Sequence, residues 1–442
     1  MNQTFMKEKK ILPLVLSMSL PMVISMAVNS LYNIVDSYFV AKISEDAMTA
    51  LSLVYPIQNL MTSVGVGFGI GMNARIAFCL GAGDKTRADQ TATTGMVLSF
   101  LHGVILMVIC MLGMPWFLSL YTKNEEIIAM GLTYANRAFL FSVIIMLGIS
   151  LEKIFQAVGQ MKVSMISMMC GFIANIILDP LMIFGIGPFP KMGMAGAAYA
   201  TGIGQTITLL VYIGFWIFRP LPLSFEKKAL VFDKELIKKL YAVGIPATLN
   251  MALPSLLISS LNGILAGFSA TYVLVLGAYY KLQTFIYLSA NGIIQGIRPL
   301  VSYNYGAGEK KRVQQIFATA LALTASVMAL GMVLSFLIPG QMIGLFTANA
   351  KTIKIGIQAL HVISFGFIVS AVSITCCGAL EALSKGVESL AISLCRYVVI
   401  IIPAAFLLSR IRGAEGVFFA FPVAETATAV IAFAIYKRNS NN

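Results

Sequence analysis

The sequence is poor in charged residues along its whole length. Of its 442 residues only 11% are Asp, Glu, Lys or Arg, whereas soluble domains carry about 25%. The mean hydropathy is +0.87. Five long runs contain no charged residue at all, namely 47–74, 90–122, 192–218, 240–280 and 313–350. Such a chain has too little polar surface to face water, which excludes a soluble globular protein and predicts a membrane protein.

Several sequence patterns of known chemistry are also missing. There is no Walker loop, nucleophile elbow or metal-ligand cluster, so the sequence predicts no enzyme, no ATP-driven transport and no bound cofactor. The alternating glycines between Gly65 and Gly71 lack the spacing of a dinucleotide-binding loop and suit close helix contact instead. The six cysteines lie in apolar segments without disulfide spacing, which is typical of small buried side chains.

Apolar segments of the length of a membrane helix are abundant. Each charge-free run exceeds the roughly 20 residues that cross a bilayer as an α-helix. The strict alternation of apolar and polar residues that a membrane β-barrel needs is absent. We therefore predict an all-α integral membrane protein. Its twelve predicted spans lie near residues 11–40, 46–72, 90–114, 127–151, 163–187, 193–218, 240–267, 271–297, 313–338, 353–380, 388–409 and 414–436.

The positive charge is unevenly distributed between the predicted loops. The net charge is +13, which by itself would also fit a nucleic-acid-binding protein. With the N-terminus inside, the cytoplasmic segments hold 21 of the 31 Lys and Arg residues and the outer loops hold 8. This bias predicts a multi-pass protein of the inner (plasma) membrane with both termini cytoplasmic and no nucleic-acid partner. The first apolar run is too long for a secretory signal, so we expect it to be retained.

The two halves of the sequence resemble each other at an offset of 225 residues. The segment 81–87, Gly-Ala-Gly-Asp-Lys-Thr-Arg, pairs with 306–312, Gly-Ala-Gly-Glu-Lys-Lys-Arg, and Pro21 pairs with Pro246. Six helices separate the copies, so both halves insert in the same orientation, which places a substrate path at their interface. The predicted parts are an N-terminal six-helix lobe, a cytoplasmic linker and a C-terminal six-helix lobe: residues 1–218, 219–239 and 240–442.

Two acidic residues, Asp36 and Asp179, lie inside predicted spans, where ionisable side chains are costly and mark functional sites. The amides of Asn33 and Asn175 precede them by three and four residues, so each shares a helix face with its acid. Pro180 should kink the fifth span and free a backbone carbonyl beside Asp179. These oxygens predict either a site for a hard cation or a proton relay.

Neither acid is repeated in the second half, where Leu261 corresponds to Asp36 and Ile402 to Asp179. A structural role would be duplicated together with the fold, whereas an ion site is needed only once. If the two carboxylates approach each other, they would titrate as a pair. The alternative is two acids held by hydrogen bonds between packed helices.

Other polar side chains of the spans leave two interpretations each. Lys281, near Gln283, either meets an anionic group or extends to the membrane surface. Arg396 and Glu425 either form a structural ion pair or take part in transport. His361 suits a proton carrier, because histidine is the side chain best able to exchange protons at physiological pH, although a lone histidine also fits a packing role. The candidates for substrate contact or coupling are Asn33, Gln58, Lys281, Gln283, His361 and Arg396.

An ordered set of short motifs resembles the multidrug and toxic compound extrusion (MATE) family over nearly the whole chain, as in a bacterial multidrug efflux transporter. The motifs are Ser19-Leu-Pro21, Tyr32-Asn-Ile-Val-Asp36, Leu80-Gly-Ala-Gly-Asp84, Gln156-Ala-Val-Gly159, Asn175-Ile-Ile-Leu-Asp179-Pro180, Gly193-Met-Ala-Gly196-Ala-Ala-Tyr-Ala-Thr201 and Pro422-Val-Ala-Glu425. The resemblance implies two six-helix bundles with a V-shaped central cavity. It also implies a secondary active antiporter that exports amphiphilic, mostly cationic compounds in exchange for Na⁺ or H⁺.

The resemblance further implies a cation site in the N-terminal lobe, built from Asp36, Asn175, Asp179 and Thr201. If the coupling ion is Na⁺, its ligands are expected to be Asp36, Asn175 and Asp179. Some family members also use acids in the seventh and tenth helices. Here the seventh has only asparagines and the tenth has His361 with Glu381 at its end, which favours coupling through the N-terminal lobe alone.

Two other classes of transporter remain as alternatives. A lipid-linked oligosaccharide flippase shares the superfamily fold but usually has more helices and several arginines in its cavity. Here the only candidates for such basic residues are Lys281 and Arg396. A sugar-porter type of transporter has closely spaced arginines after its second helix, unlike residues 81–89. We expect a monomer in the lipid bilayer whose partners are small amphiphilic substrates and the coupling ion.

Overall fold

The computed structural model describes residues 3–441, and this part of the chain forms sixteen α-helices and no strand. Helices α1 to α8 are Phe5–Glu8, Ile11–Ala41, Glu45–Gly81, Lys85–Tyr121, Glu125–Leu140, Ser142–Ala157, Met161–Phe184 and Met194–Phe218. Helices α9 to α16 are Lys234–Ala266, Ala270–Gly306, Lys310–Leu337, Pro339–Gly344, Ala350–Ala382, Gly386–Leu394, Ile401–Arg412 and Ala414–Asn441. A 3₁₀ turn covers Lys227–Ala229, and a π-helical segment covers Cys395–Ile400.

The described residues contain ten helical segments that are long and apolar enough to cross a membrane, with α14 and α15 counted as one segment, Gly386–Arg412. Helices α5 and α6 form an eleventh span, which is bent by 49° at Phe141. Helix α10 is not one of these eleven, but its 37 residues are more than enough to cross a bilayer. Each of the twelve predicted spans coincides with one of these segments, so the chain is a multi-pass membrane protein.

The starts of corresponding helices repeat between the two halves. Ser44 caps α3 by accepting a hydrogen bond from the backbone N–H of Ala47, and Ser269, 225 residues later, caps α10 in the same extended conformation. Asn124 and Asn349 cap α5 and α13, again 225 residues apart. Side-chain oxygens at these positions satisfy backbone donors that a helix leaves free at its start. The duplication therefore extends to local hydrogen bonds that the short sequence matches did not include.

The turns between helices repeat as well. Gly83 and Gly308 both have a φ of 75°, which suits glycine because it has no Cβ atom. Gly159 has a φ of 82°, and its counterpart is Ser384, whose φ is 61°. Ser384 is the one non-glycine residue with a positive φ among the described residues. The second half thus keeps the backbone conformation of this turn, although serine, unlike glycine, is strained at a positive φ.

The chain divides into two compact units. Unit 1 contains residues Met1–Gln3 and Ile24–Gly244, and unit 2 contains Thr4–Val23 and Ile245–Asn442. The core of unit 1 includes the buried side chains of Val54, Phe139 and Met146. The core of unit 2 includes those of Tyr279, Phe367 and Phe421. The lobe boundaries at residues 218 and 240, which came from hydropathy and the repeat, stay a prediction.

Both changes from one unit to the other occur inside helices, close to the duplicated prolines. In α2 the change follows Val23, two residues after Pro21, and in α9 it follows Gly244, two residues before Pro246. Proline interrupts the hydrogen-bond ladder of a helix and permits a bend. The first turns of α2 therefore belong to unit 2, although the rest of that helix belongs to unit 1.

The segment between α8 and α9 packs against the start of α4 within unit 1. The hydroxyl of Thr94 donates to the carbonyl of Val231 over 3.0 Å and accepts from the backbone N–H of the same residue. The carboxylate of Asp89 accepts from the backbone N–H of Ser224 at 2.9 Å. The predicted linker is therefore an ordered strap on unit 1.

Candidate functional site

Close packing of α7 and α8 in unit 1 places Asn175 and Asp179 beside Thr201. The two helices meet at glycines: a methyl group on Gly204 would come within 2.8 Å of the carbonyl oxygen of Gly171 and within 3.1 Å of the Asn175 Cβ atom. Small residues permit this approach of two helix backbones, which larger side chains would prevent. The polar groups of α7 therefore lie next to those of α8.

The carboxyl groups of Asp36, from α2, and Asp179, from α7, lie within hydrogen-bonding reach of each other. Asp36 is 8% exposed and Asp179 is fully buried. The Oδ1 atom of Asp36 has no hydrogen-bond partner within residues 3–441. Two carboxylates so close together and away from water repel each other strongly, so the pair requires a shared proton or a cation between the oxygens.

The side-chain amide of Asn175 connects this carboxyl pair to α8. Its nitrogen donates to the Oδ2 atom of Asp179 at 3.1 Å, and its oxygen accepts from the backbone N–H of Thr201 at 3.0 Å. Asn175 is 2% exposed, so neither bond competes with bulk water. A change in the charge of Asp179 is therefore transmitted directly to an amide that holds two helices together.

Two tyrosines complete the polar cluster, and neither was predicted as a site residue. The hydroxyl of Tyr134, on α5, accepts a hydrogen bond from Gln58 Nε2 at 3.2 Å. The hydroxyls of Tyr134 and Tyr32 both lie in hydrogen-bonding range of Thr201. The ring of Tyr32 stacks on Phe172 with 5.2 Å between centroids. Since Tyr32 precedes Asp36 by one helical turn, its spacing was a usable signal, whereas nothing in the sequence near Tyr134 pointed to α2.

Of the predicted residues, the structure thus brings together Asp36, Asn175, Asp179, Thr201 and Gln58. Of the other candidates, Asn33 lies on α2 in unit 1, whereas Lys281, Gln283, His361 and Arg396 belong to unit 2.

The surroundings of those separate residues differ from one another. The amide of Asn33 is exposed and donates to the carbonyl of Asn29, one turn earlier. The ammonium of exposed Lys281 lies 5.6 Å from the centroid of the Phe346 ring. His361 stacks on Phe336, and its buried Nε2 atom has no hydrogen-bond partner among the described residues. Each of these contacts lies within a single unit.

Arg396 and Glu425 form a buried ion pair in unit 2. The Nε and Nη2 atoms of Arg396 donate to the same carboxylate oxygen of Glu425 at 3.0 and 2.5 Å. The hydroxyls of Tyr287 and Tyr397 each lie 3.3 Å from the guanidinium nitrogens. Both charged side chains are less than a tenth exposed. The two residues therefore form an ion pair, which lies at the π-helical segment Cys395–Ile400.

Each unit also contains an ion pair that the sequence did not indicate, which is buried in unit 1 and partly buried in unit 2. In unit 1, Lys153 donates to the carboxylate of Glu152 at 2.7 Å, and Gln156 donates to the same oxygen. In unit 2, Arg298 donates to Glu381 at 2.8 Å. Since Gln156 and Glu381 are counterparts in the repeat, the two units hold polar groups at matching places with different partners.

The chain is therefore a polytopic α-helical membrane protein of two duplicated units, with a buried carboxyl pair in the first. A family model described as MatE matches residues 21–181 and 246–407. The chain belongs to this family, the MATE family that its motifs resemble.

Curated relatives of similar length exist in staphylococci. The chain is 26% identical over 418 residues to the multidrug export protein MepA of Staphylococcus aureus strain MRSA252, covering 94% of this chain and 91% of the relative. It is also 26% identical over 434 residues to MepA of Staphylococcus haemolyticus strain JCSC1435, covering 98% and 95%.

Solved structures show the same fold. A crystal structure of MATE in the straight conformation is similar with a TM-score of 0.93 at 21% identity, covering all of this chain and 98% of the other. A MOP superfamily transporter from Pyrococcus furiosus Vc1, described as having a binding pocket of reverse polarity, is similar with a TM-score of 0.92 at 21% identity and the same coverage. The likeness confirms the predicted fold of twelve membrane helices in two bundles.

Proposed function

We propose that this protein is a secondary active transporter that exports amphiphilic, mostly cationic organic compounds in exchange for H⁺ or Na⁺. The carboxyl pair of Asp36 and Asp179 carries the proposal, because it is buried, unduplicated and has one oxygen without a protein partner. The multidrug export function of the MepA relatives supports the substrate class. The protein is proposed to act as a monomer.

The donor set supports a proton or a monovalent cation as the coupling ion. The two carboxylates and the Thr201 hydroxyl are hard oxygen ligands, which suit Na⁺ as well as H⁺, while the Asn175 amide donates a hydrogen bond to Asp179. In the part of the chain that the structure describes, no cluster of three or more His, Cys, Asp or Glu side chains is arranged so that it could hold a metal ion. Divalent ions in proteins usually require more carboxylates or bound waters than this set supplies.

Exchange requires that the ion and the substrate favour different conformations of unit 1, because a ligand that binds two states equally shifts neither. Occupancy of the carboxyl pair changes the charge that the Asn175 amide faces on Asp179. That amide also bonds α8, so ion binding favours one packing of α7 against α8 and ion release favours another. Substrate that prefers the second packing then promotes release of the ion.

The number of coupling ions decides how steep a substrate gradient the protein can maintain. One monovalent ion exchanged for one monovalent organic cation moves no net charge, so a tenfold ion gradient supports only a roughly tenfold substrate gradient. With two ions, two tenfold gradients of about 1.4 kcal/mol each combine with about 2.3 kcal/mol from one net charge crossing 100 mV. The sum of about 5 kcal/mol supports a substrate gradient of several thousand-fold.

Transport by purified protein in liposomes tests the proposal. We expect efflux of a fluorescent organic cation to be driven by a pH or Na⁺ gradient without ATP, and to respond to membrane potential if two ions exchange for one cation. Transport that occurs only with ATP would contradict antiport. Movement of a lipid-linked oligosaccharide without movement of the dye would favour the flippase alternative.

The topology belongs to the same proposal. We place the protein in the inner (plasma) membrane with both termini in the cytoplasm, on the bias of Lys and Arg between alternate loops. A green fluorescent protein fused after Asn442 should fluoresce in cells, and alkaline phosphatase fused there should be inactive. The opposite pair of results would reverse the orientation.

A further inference from the structure

Unit 2 has an open groove between α11 and α16, at the end of the unit where α11 begins and α16 ends. Its volume is about 340 Å³. Its lining includes Gln314, Phe317, Ala318, Leu321, Phe433 and Lys437. The ring of Phe317 stacks on that of Tyr436 at 3.9 Å between centroids and forms the floor of the groove. Phe433, which also lines the groove, is 47% exposed.

The groove is polar at one end and apolar at the other. Gln314 and Lys437 line the end nearest the helix termini, whereas Leu321 and Phe433 line the end deeper in the spans. Gln314 and Leu321 are seven residues apart on one helix, which corresponds to roughly 10 Å along the axis. A ligand that fits must therefore have a polar head next to an apolar chain.

Positive charge surrounds the polar end. Lys437 lines the groove, and Lys311 lies about one helical turn before Gln314 on α11. The neighbouring acid, Glu309, is already paired with Lys7 at 3.1 Å. The charges at this end thus favour an anionic ligand and repel the organic cations that we propose as substrates.

We infer that the groove is a binding site for one anionic phospholipid of the surrounding membrane. An acyl chain occupies the apolar part over Phe317, and the phosphate of the head group contacts Lys437, with Lys311 nearby. Because lipid chains in a bilayer are already in an apolar environment, filling the groove gives little hydrophobic gain. Selectivity therefore comes from the head group, at about fivefold in affinity for each basic residue at the membrane surface.

Native mass spectrometry of the full chain in detergent tests the site, with phosphatidylglycerol and phosphatidylcholine as the two probes. We expect one phosphatidylglycerol to be retained in preference to phosphatidylcholine, and the preference to weaken as salt is raised. The variant Lys437→Gln should reduce this affinity about fivefold. The variant Ala318→Trp, which fills the groove without altering charge, should abolish retention of that lipid.

The control is Lys162→Gln, which removes an exposed lysine of unit 1 and should leave lipid retention unchanged. Lys437 is exposed, so its replacement is compatible with folding and keeps the test decisive even if the tryptophan variant fails to fold. Equal retention of both lipids would overturn the inference. An unchanged affinity for phosphatidylglycerol in Lys437→Gln would overturn it as well.

Discussion

If Asp36 and Asp179 form one ion site, replacing either should cost about as much as replacing both. The perturbation is Asp36→Asn, Asp179→Asn and the double variant, each of which removes negative charge from the pair while keeping the shape of the side chain. The carboxyl groups lie within hydrogen-bonding reach of each other, close enough for one ion or proton to be shared between them. Residues that act as a unit lose nearly all of the function when any one of them is lost.

The magnitude follows from the bonds that the ion loses. A hydrogen bond to a charged group contributes about 1.5–3 kcal/mol, which corresponds to roughly 10- to 150-fold in ion affinity. Asp36 is the partner with the free oxygen, and Asp179 is the partner held by Asn175. Either substitution therefore removes a direct ligand of the ion and lowers ion exchange by at least about tenfold.

Release of H⁺ or Na⁺ on addition of substrate to purified protein measures this loss directly. The control is Glu45→Gln, which replaces an exposed acid at the start of α3 and should release ions normally. We expect the two single variants and the double variant to share the same low residual release. Single variants that each retain half of the release, with the double retaining a quarter, would indicate two independent sites and refute the reasoning.

Three further predictions concern packing and stability. Arg396→Met leaves Glu425 without its partner and should lower the free energy of unfolding by about 3–5 kcal/mol, measured as a lower midpoint of heat unfolding. Adding Glu425→Leu should restore most of this stability. A double variant as unstable as the single one would argue against the buried ion pair. Ser384→Gly removes the strain of a positive φ and should raise the unfolding free energy by about 1 kcal/mol; no change would mean that the turn is unstrained. Gly204→Ala should separate α7 from α8 and reduce ion release, whereas Gly214→Ala, whose added methyl group enters open space, should have no effect. Equal behaviour of the two variants would contradict the close packing.

The sequence was sufficient to predict the helices and the acids of the site. Asp36 and Asp179 were conspicuous because each is the acid of an otherwise apolar span and has no counterpart in the other half. Asn175 was within reach of the same reasoning, since four residues separate it from Asp179 on one helix. These predictions depend on local spacing alone, which a sequence contains in full.

Contacts between helices that are distant in sequence could not be predicted in the same way. Tyr134 reaches Thr201 and Gln58 across 67 and 76 residues, and tyrosine is too common in membrane spans to attract notice by itself. The adjacent charges of Glu152 and Lys153 follow the predicted fourth span, whose end near residue 151 implies that they face water. They are buried instead, because Lys153 donates to Glu152 and to Gln156, and Gln156 donates to Glu152, so that the two charges have hydrogen-bond partners.

The division of α2 between the units has a consequence for biosynthesis. Residues Thr4–Val23 precede Ile24–Gly244 of unit 1 in the sequence but pack in unit 2, where Asn304 and Arg312 donate hydrogen bonds to the carbonyl of Met6. A nascent chain therefore completes unit 2 only after its last helices have been inserted, although domains generally fold in the order of their synthesis. If the gene were cut within the segment between α8 and α9, the C-terminal fragment alone would lack these residues, and a stable unit 2 would require the N-terminal fragment in the same membrane.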